Sequence, residues 1–289
     1  MTNLFLGIDG GGTTCRARLV DGAGTRLGEG VGGSANLTLG IGVVAASIVQ
    51  ASEQAFAAAG LGAEAMARTR AGFGLAGANV PSLADAVRAH PFPFVAVAVA
   101  SDAVAACLGA HGGGDGAILI VGTGSQGLAI VGGQATAIGG WGFHVSDDAS
   151  GAILGRAAVR AAVASVDDLA PRSPLTGALM DALGGDPARA VEWAASARPR
   201  DYAAFVPLIL DHATKGDPVA GALLAAAVAE AAAMLDRLLA LGAGRIALMG
   251  GLADIYRPRL PERLKPVIVG PRGDALDGAL ALARAGAPR

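Results

Sequence analysis

Apolar residues recur along the chain in short runs that predict strands, and glycine-rich turns follow several of these runs. Residues 4–8 form an apolar run, and over residues 14–20 apolar side chains alternate with arginines, which is typical of a half-buried strand. An Asp-Gly turn then leads to a third short strand over residues 26–31. The chain therefore opens with a strand, a glycine loop and a hairpin. A Rossmann domain would instead have a helix directly after its glycine loop.

Helices and strands alternate through the rest of the first half of the sequence. The pattern predicts helices over 40–59, 81–90 and 102–110, and strands over 70–76 and 94–100. The segment 94–100 is apolar throughout and rich in valine, which indicates a buried parallel strand. Residues 111–116 are rich in glycine and indicate a hinge or linker.

The same order of elements restarts after this linker. A strand over 117–121 runs into a glycine turn, and residues 127–131 and 134–138 predict a second hairpin. Residues 150–241 are largely helical in pattern, followed by strands over 245–249 and 266–269 and a last helix over 274–285. Two α/β halves with equivalent glycine turns can face each other across a cleft, with ligands at the carboxyl ends of the strands.

Composition narrows the classes of protein that fit this pattern. Of 289 residues 53% are hydrophobic and 16% charged, which suffices for a large core and argues against disorder. The net charge of −2 carries no basic footprint for nucleic acid. Glycines break the longest uncharged stretch, 116–146, and the N-terminus lacks a signal-peptide pattern, so we expect no membrane partner. The two cysteines have no metal-ligand spacing, which favours a cytoplasmic chain.

The first glycine turn is a candidate phosphate site. Without Cβ atoms, Gly11 and Gly12 let backbone N–H groups approach an anion closely, and Thr13 and Thr14 add hydroxyl groups. Asp9, at the end of the first strand, is placed to hold a hydrated Mg²⁺ on the phosphates. The alternative interpretation is a glycine-rich turn that binds no ligand.

Two further turns match this design. Gly122, Thr123 and Gly124 follow the strand that opens the second half, and no Gly-Lys-Ser/Thr sequence follows, so a P-loop is not supported. Gly250 and Gly251 follow another strand and could let an adenine or ribose lie flat against the backbone. Together the first two turns predict one polyphosphate held by both halves.

Asp102 and a loop over residues 139–151 could supply the chemistry. Asp102 ends a strand and could accept a hydroxyl proton as the oxygen attacks a γ-phosphoryl group; the alternative is a helix cap. The loop combines Trp141 with Asp147 and Asp148, as a polyol site would, although the acids could instead cap the next helix. Asn36 lies in a loop that could return to the same cleft, or it is a turn residue.

Taken together, these residues resemble the sugar kinase, actin and chaperone-ATPase superfamily. Segments 9–13, 121–125 and 249–251 resemble its first phosphate, second phosphate and adenosine motifs. Within it the chain is similar to the N-acetylglucosamine kinase and glucosamine kinase branch, which is grouped with the benzoyl-CoA-reductase-activator ATPases. The likeness to bacterial glucosamine kinases runs nearly end to end and includes segments 10–18, 33–36, 105–111, 199–202, 216–218 and 274–280.

The resemblance implies an α/β fold of two ribonuclease-H-like, actin-like ATPase lobes around a nucleotide cleft, with a helical insertion in the second lobe. The expected lobes are 1–111 with the C-terminal helix at about 274–289, and 112–273 with its helical segment at about 150–243. ATP and Mg²⁺ are the implied cofactors, with an amino sugar as the second small-molecule partner and a homodimer as a possible assembly. Transfer of the γ-phosphate to the 6-hydroxyl of glucosamine is the implied reaction.

By the same resemblance, Asp102 matches the catalytic base, and Asn36, Trp141 and Asp147 match sugar-contacting positions. N-acetylglucosamine kinases show a Gly-Trp-Gly-His-x-x-Gly-Asp-Glu-Gly-Ser loop, from which this chain departs at Ser146, Asp148 and Ala149. Asp148 could attract a free 2-ammonium group, whereas Trp141 suits an acetamide. We expect glucosamine as the substrate, with N-acetylglucosamine as the alternative.

Two other classes of function are open to such a chain. An ATPase activator of a radical dehydratase or reductase needs cysteines that hold an iron–sulfur cluster at a dimer interface, and neither Cys15 nor Cys107 is placed for that role. A non-catalytic sugar sensor would be expected to carry a helix-turn-helix segment or to lack the carboxylate at Asp102.

Overall fold

The computed structural model describes residues 3–285, whose strands form two five-stranded sheets. The strands are β1 (Leu4–Gly10), β2 (Cys15–Asp21), β3 (Arg26–Gly32), β4 (Arg70–Leu75), β5 (Ala96–Ser101), β6 (Gly116–Val121), β7 (Ser125–Val131), β8 (Gln134–Ile138), β9 (Ile246–Met249) and β10 (Ile268–Val269). The helices are α1 (Ile41–Ala58), α2 (Ala63–Ala67), α3 (Pro81–Ala89), α4 (Asp102–Ala110), α5 (Gly151–Val166), α6 (Pro174–Ala182), α7 (Pro187–Ser196), α8 (Pro199–Ala203), α9 (Val206–Thr214), α10 (Pro218–Ala240), α11 (Ala253–Tyr256) and α12 (Ala275–Ala285). The predicted α/β class and the repeated order of strand, glycine turn and hairpin are confirmed.

The first sheet has the order β3-β2-β1-β4-β5. β1, β2 and β3 pair antiparallel, as the alternating pattern of the opening segment predicts, and β4 and β5 extend the sheet parallel to β1. β5 begins at Ala96, so the predicted start at residue 94 is wrong, whereas its parallel pairing is confirmed. β5 lies at the sheet edge, and only Ala98 and Val99 of the strand are buried. Val95, just before β5, is exposed.

Glycines on β3 let α1 lie directly on the sheet. A Cβ atom at Gly28, Gly30 or Gly32 would overlap a carbonyl oxygen of α1. The carbonyls belong to residues spaced four apart along one face of the helix, namely Ser47, Ala51 and Ala55. Small residues on both elements therefore replace the usual layer of side chains between helix and strand.

The C-terminal helix α12 packs in the same unit by the same device. A Cβ at Gly7 on β1 or Gly72 on β4 would collide with its main chain. Arg18, on β2 and largely buried, donates hydrogen bonds to Asp274 and Asp277 at the start of α12. The last described helix is thus tied to β1, β2 and β4.

The second sheet has the order β10-β9-β6-β7-β8. Along the chain, helices α5 to α10 lie between β8 and β9, and α11 lies between β9 and β10. Within the helical segment, the rings of Phe143, Tyr202, Trp193 and Phe205 form a contiguous cluster with centroid separations of 4.8–5.5 Å. This cluster contributes to a small core of its own together with residues of α5 and α7.

The chain divides by internal contacts into two units that differ from the predicted lobes. The first comprises residues 1–118, 128–136 and 270–289, and the second 119–127 and 137–269. Residues 111–118 belong to the first unit. Within it His111 bonds the Ala117 carbonyl, and the Asp115 carboxylate accepts the N–H groups of Gly132 and Gly133. The functional division at 1–111 and 112–273 stays a prediction, and residues 1–2 and 286–289 of the predicted first lobe lie outside the described residues.

Two helices, α1 and α10, are long and apolar enough to cross a membrane by length and composition alone. The buried core helix of a globular unit passes the same test, and α1 covers β3 with its buried face.

We expect Gly30→Ala to destabilise the protein by about 1–3 kcal/mol, the usual cost of overpacking a core. The added Cβ would push against the Ala51 carbonyl, which is held in the α1 backbone. Gly42→Ala, at the start of α1, is the control because a Cβ there meets nothing within 4 Å. Thermal denaturation of both variants tests this, and equal melting temperatures would contradict the close approach of α1 to β3.

Candidate active site

The turn after β1 has an open main chain. The N–H of Gly11 donates to the Thr14 carbonyl at 2.9 Å, which closes the turn. A Cβ at Gly12 would meet no atom within 4 Å, and one at Gly11 would meet only the Thr14 carbonyl oxygen at 3.7 Å. Neither glycine has a positive φ. Since neither packing nor backbone conformation requires glycine at these positions, the bare main chain is available to a ligand, with Thr13 and Thr14 exposed beside it.

Asp9, the penultimate residue of β1, forms an ion pair with Arg16 on β2. The Arg16 Nε and Nη2 atoms both bond Asp9 Oδ2, and this hydrogen bond raises the pKa of the guanidinium. Asp9 Oδ1 is left for a hydrated cation, and carboxylate oxygen is a ligand that Mg²⁺ prefers. Within residues 3–285 no group of three or more acidic, histidine or cysteine side chains is arranged for a metal ion. Such a cation would therefore depend on water and on ligand phosphates for its other contacts.

Asp102 follows the carboxyl end of β5, and Asp9 lies at the carboxyl end of the parallel strand β1, so both are at the same end of the strands. Asp9 is in register with Gly74 of β4, Gly74 is in register with Ala100 of β5, and Asp102 follows two residues later. Burial raises the pKa of the Asp102 carboxyl, an effect that the hydrogen bond from the Ala103 N–H opposes and the charge of Asp9 reinforces.

The alternative prediction that Asp102 caps α4 is wrong, because the neighbouring residue is the cap. Ser101 is the N-cap of α4, and its hydroxyl oxygen accepts the Val104 N–H at 3.2 Å. Asp102 occupies the first turn of the helix, where its charge is favourably placed relative to the helix dipole. Oδ1 of its carboxylate accepts the Ala103 N–H at 2.8 Å, and the N–H of Asp102 itself also stabilises the ionised form. These are main-chain donors, and the carboxylate can still accept a substrate proton.

The loop that carries Asn36 is tied to the first turn. The Ala35 N–H donates to the Gly11 carbonyl at 3.0 Å. Asn36 Oδ1 accepts hydrogen bonds from the N–H and hydroxyl of Thr38, so the predicted turn role is present. The side-chain amide nitrogen of Asn36 remains a donor at the same end of the strands as Asp9 and Asp102.

The turn after β6 is braced by the start of α5. The Gly122 N–H donates to the Gly124 carbonyl at 2.8 Å. The first N–H groups of α5, from Gly151 and Ala152, donate to the carbonyls of Gly122 and Thr123 at 2.7 and 3.2 Å. Two carbonyl oxygens of the turn are thus occupied by the helix and are not free to repel an anion.

Asp147 lies against this second turn. Its Oδ2 is 3.0 Å from where a Cβ on Gly124 would be, and its Oδ1 accepts the Gly142 N–H at 3.2 Å. Burial raises the pKa of Asp147, the bond from Gly142 lowers it, and the charge of Asp148 raises it further. Within the second unit, Asp147 and the turn at Gly124 therefore form one polar site.

The other predicted loop residues lie elsewhere on this unit. Asp148 is exposed and lines a separate pocket of about 350 Å³ with Glu230 and Arg237 of α10. Trp141 is 69% exposed and offers a free aromatic face. The structure thus brings Asp147 to the glycine turn, whereas Asp148 is turned toward α10.

Glu230 and Tyr256 are the two residues that sequence reasoning missed. Both bond the backbone of Ala149, which has a left-handed φ of 65° like Asp147. The Ala149 N–H donates to Glu230 Oε2 at 2.7 Å, and the Tyr256 hydroxyl donates to the Ala149 carbonyl at 2.8 Å. A left-handed residue other than glycine costs roughly 1–2 kcal/mol, so these contacts hold a strained loop. The signal that could have found Glu230 is its place as the one acid in the alanine-rich stretch 225–233 of α10.

The third glycine turn has a structural reason for one of its two glycines. Gly250 has a φ of 94°, and a Cβ there would overlap the carbonyl of Val121 at the end of β6. The Leu252 N–H donates to that same carbonyl at 3.0 Å. A Cβ at Gly251 would meet nothing within 4 Å, so Gly251 is the position with an open main chain.

Both cysteines are buried in the first unit. Burial, with a smaller effect from Asp9, raises the pKa of the Cys15 thiol to about 12. The Cys107 thiol donates to the Gly116 carbonyl at 3.4 Å. These thiols are inert and enclosed, which is opposite to what a cluster at a subunit interface needs.

Comparisons with known proteins agree with this arrangement. The sequence model of the BadF/BadG/BcrA/BcrD ATPase family matches residues 6–270. The glucosamine kinase GspK of Vibrio cholerae serotype O1 is 40% identical over 281 residues, which are 97% of this chain and 96% of that protein.

Solved structures give the same result for the fold. A candidate N-acetylglucosamine kinase from Chromobacterium violaceum is 36% identical, with a TM-score of 0.83 over 97% of this chain and 99% of that one. A glucokinase of the ROK family from Streptomyces griseus, solved with glucose and AMPPNP, has a TM-score of 0.52 at 22% identity over 98% of this chain and 100% of that one. The predicted family and the predicted actin-like sugar kinase fold are confirmed.

Proposed function

Because the chain belongs to the BadF/BadG/BcrA/BcrD ATPase family, we propose that it is an ATP-dependent kinase that phosphorylates the 6-hydroxyl of glucosamine. The observation that carries the proposal is the set of groups at the carboxyl ends of the parallel strands of the first unit. There the half-buried carboxylate of Asp102, whose pKa is raised, follows β5. β4 alone separates β5 from β1, which leads into the open glycine turn. Similarity to a glucosamine kinase over nearly the whole chain supports the substrate.

Each proposed role follows from the chemistry of the residue. The main-chain N–H groups of Gly12, Thr13 and Thr14, and of Thr123 and Gly124, would bind ATP phosphates. Gly11 and Gly122, whose N–H groups close the two turns, would let the phosphates approach the main chain. Gly250 and Gly251 would border the adenosine. Asp9 would hold Mg²⁺, which supplies neutralisation of the phosphate charge. Asp102 Oδ2 would accept the proton of the 6-hydroxyl as its oxygen bonds the γ-phosphorus and ADP leaves.

Sugar recognition would fall to Asn36, Trp141, Asp147 and Asp148. Asn36 donates through its amide, Trp141 stacks on the apolar face of the ring, and Asp147 accepts from hydroxyl groups. Asp148 is exposed and turned toward α10, so it would attract a 2-ammonium group through solvent and not by direct contact. A substrate and cofactor of this kind fit a cytoplasmic location, and a homodimer stays a prediction from the family resemblance.

N-acetylglucosamine is the second candidate substrate. The exposed ring of Trp141 favours it, because an acetamide needs an apolar surface that a free ammonium group does not. The similarity to the Chromobacterium violaceum protein points the same way.

An ATP-consumption assay with Mg²⁺ and glucosamine, N-acetylglucosamine or glucose tests the proposal. We expect the highest kcat/KM for glucosamine. Preference for N-acetylglucosamine would move the assignment to the second candidate. Absence of sugar-dependent turnover with all three would overturn the amino-sugar kinase proposal.

We expect Asp102→Asn to lower kcat by about 10²–10⁴-fold, since a general base contributes that much. The variant should also be more stable than the wild type at pH 7. The folded protein binds the Asp102 proton more tightly than the unfolded chain, so the ionised carboxylate destabilises the fold as the pH rises through its raised pKa. Asparagine removes that charge, and the gain should shrink as the pH falls toward 3.8, the ordinary value. Melting curves across pH check this; low kcat together with a lowered melting temperature would indicate misfolding instead.

Gly12→Ala should raise the KM for ATP by about ten- to hundredfold, the equivalent of one lost charge-assisted hydrogen bond. The added Cβ meets no protein atom, so the melting temperature should stay that of the wild type. Gly42→Ala, equally open and distant in sequence from the turn, serves as the control for both measurements. An unchanged KM for ATP would remove the first turn from the proposed phosphate site.

A further inference from the structure

Both hydrogen-bonding groups of Ala149 are held by side chains from distant parts of the second unit. Glu230 on α10 accepts from its N–H, and Tyr256 at the end of α11 donates to its carbonyl. Tyr256 is fully buried, and burial together with Glu230 raises the pKa of its hydroxyl, so it stays a donor. We call this pair of bonds the Ala149 clamp.

The clamp acts where the loop is strained. Asp147 and Ala149 both have a φ of 65°, a conformation that L-residues leave when nothing holds them. Ser125 adds a bond from its hydroxyl to the Asp148 carbonyl at 2.6 Å. Without the clamp, rotation of the Ala149 backbone would change the path of the preceding residues. The side chain of Asp147 would then point in a different direction.

The other end of the same loop is anchored independently. Phe143 is buried in the aromatic cluster against Tyr202, and Arg156 lies over its ring at 4.9 Å and donates to its carbonyl. Asp147 lies between this anchor and the clamp, with its carboxylate beside Gly124. The direction of that carboxylate is therefore set at both ends of a short segment.

We propose that Glu230 and Tyr256 are positioning residues for sugar binding, which hold Ala149 in its left-handed conformation and so keep Asp147 directed at the sugar. This inference rests on the proposed amino-sugar kinase function. Neither residue touches the reacting atoms. Their effect is on the binding of the sugar and not on that of ATP.

Tyr256→Phe removes the hydroxyl and keeps the ring. We expect the KM for glucosamine to rise by about five- to tenfold, as for one lost hydrogen bond, with the KM for ATP unchanged. Tyr202→Phe is the matched control, because the ring of Tyr202 packs on Phe143 but the residue takes no part in the clamp. A Tyr256→Phe enzyme with wild-type KM values, or with both KM values raised equally, would overturn the inference.

Rescue variants separate positioning from loss of fold. Ala149→Gly should reduce the effect of Tyr256→Phe, because glycine adopts a positive φ without strain. Glu230→Gln keeps an acceptor oxygen and should raise the KM for glucosamine less than Glu230→Ala, with the exposed Glu192→Gln as control. In an Asp147→Asn background, Tyr256→Phe should add little, since the residue through which it acts is already changed. Full additivity with Asp147→Asn would contradict the proposed route.

Hydrogen–deuterium exchange distinguishes failure of this inference from failure of the proposed function. Amides of residues 142–150 should exchange faster in Tyr256→Phe than in the wild type. A wild-type enzyme without sugar-dependent turnover would overturn the function, even if exchange shows that the clamp holds the loop. Unchanged exchange in an enzyme that does phosphorylate glucosamine would overturn the clamp alone.

Discussion

Main-chain contact between helix and sheet is the constraint on which the first unit depends. At Gly28, Gly30 and Gly32 no side chain separates β3 from α1, and at Gly7 and Gly72 none separates β1 and β4 from α12. Such contacts allow almost no change of register, because a shift by one residue would bring a Cβ against a carbonyl. Helices pack on both faces of this sheet and hold it rigid, including the carboxyl ends of the strands, where Asp9 and Asp102 lie.

The glycines of this chain therefore serve two different purposes. Those beneath the helices have no room for a side chain, and Gly250 is in the same position against Val121. Gly11, Gly12 and Gly251 have room, and nothing in the fold requires them. Openness by itself does not indicate a ligand, because Gly42 in α1 is equally open. At Gly11, Gly12 and Gly251 the open main chain coincides with a turn that follows a strand, and the combination favours ligand approach.

The order of strands, the two hairpins and the two phosphate-type turns could be predicted from local patterns, since alternation and glycine turns are encoded within a few residues. The edge position of β5 could not, because a valine-rich run reads as buried whichever strands flank it. The different directions of the Asp147 and Asp148 side chains could not be predicted from the sequence either. They depend on Glu230 and Tyr256, which bond Ala149 across 81 and 107 residues of sequence. The local sequence pattern identified the acidic residues of the loop, whereas long-range contacts determine the direction of each side chain.

The bonds from Arg18 to Asp274 and Asp277 join residues separated by 256 and 259 positions. During synthesis on the ribosome, β2 emerges early, whereas its carboxylate partners emerge only after the whole second unit. Until then the guanidinium lacks two of its three acidic partners, and the faces of β1 and β4 at Gly7 and Gly72 are uncovered. The first unit to be translated is thus the last to be completed, and a chain truncated before residue 274 would lack the helix that closes it.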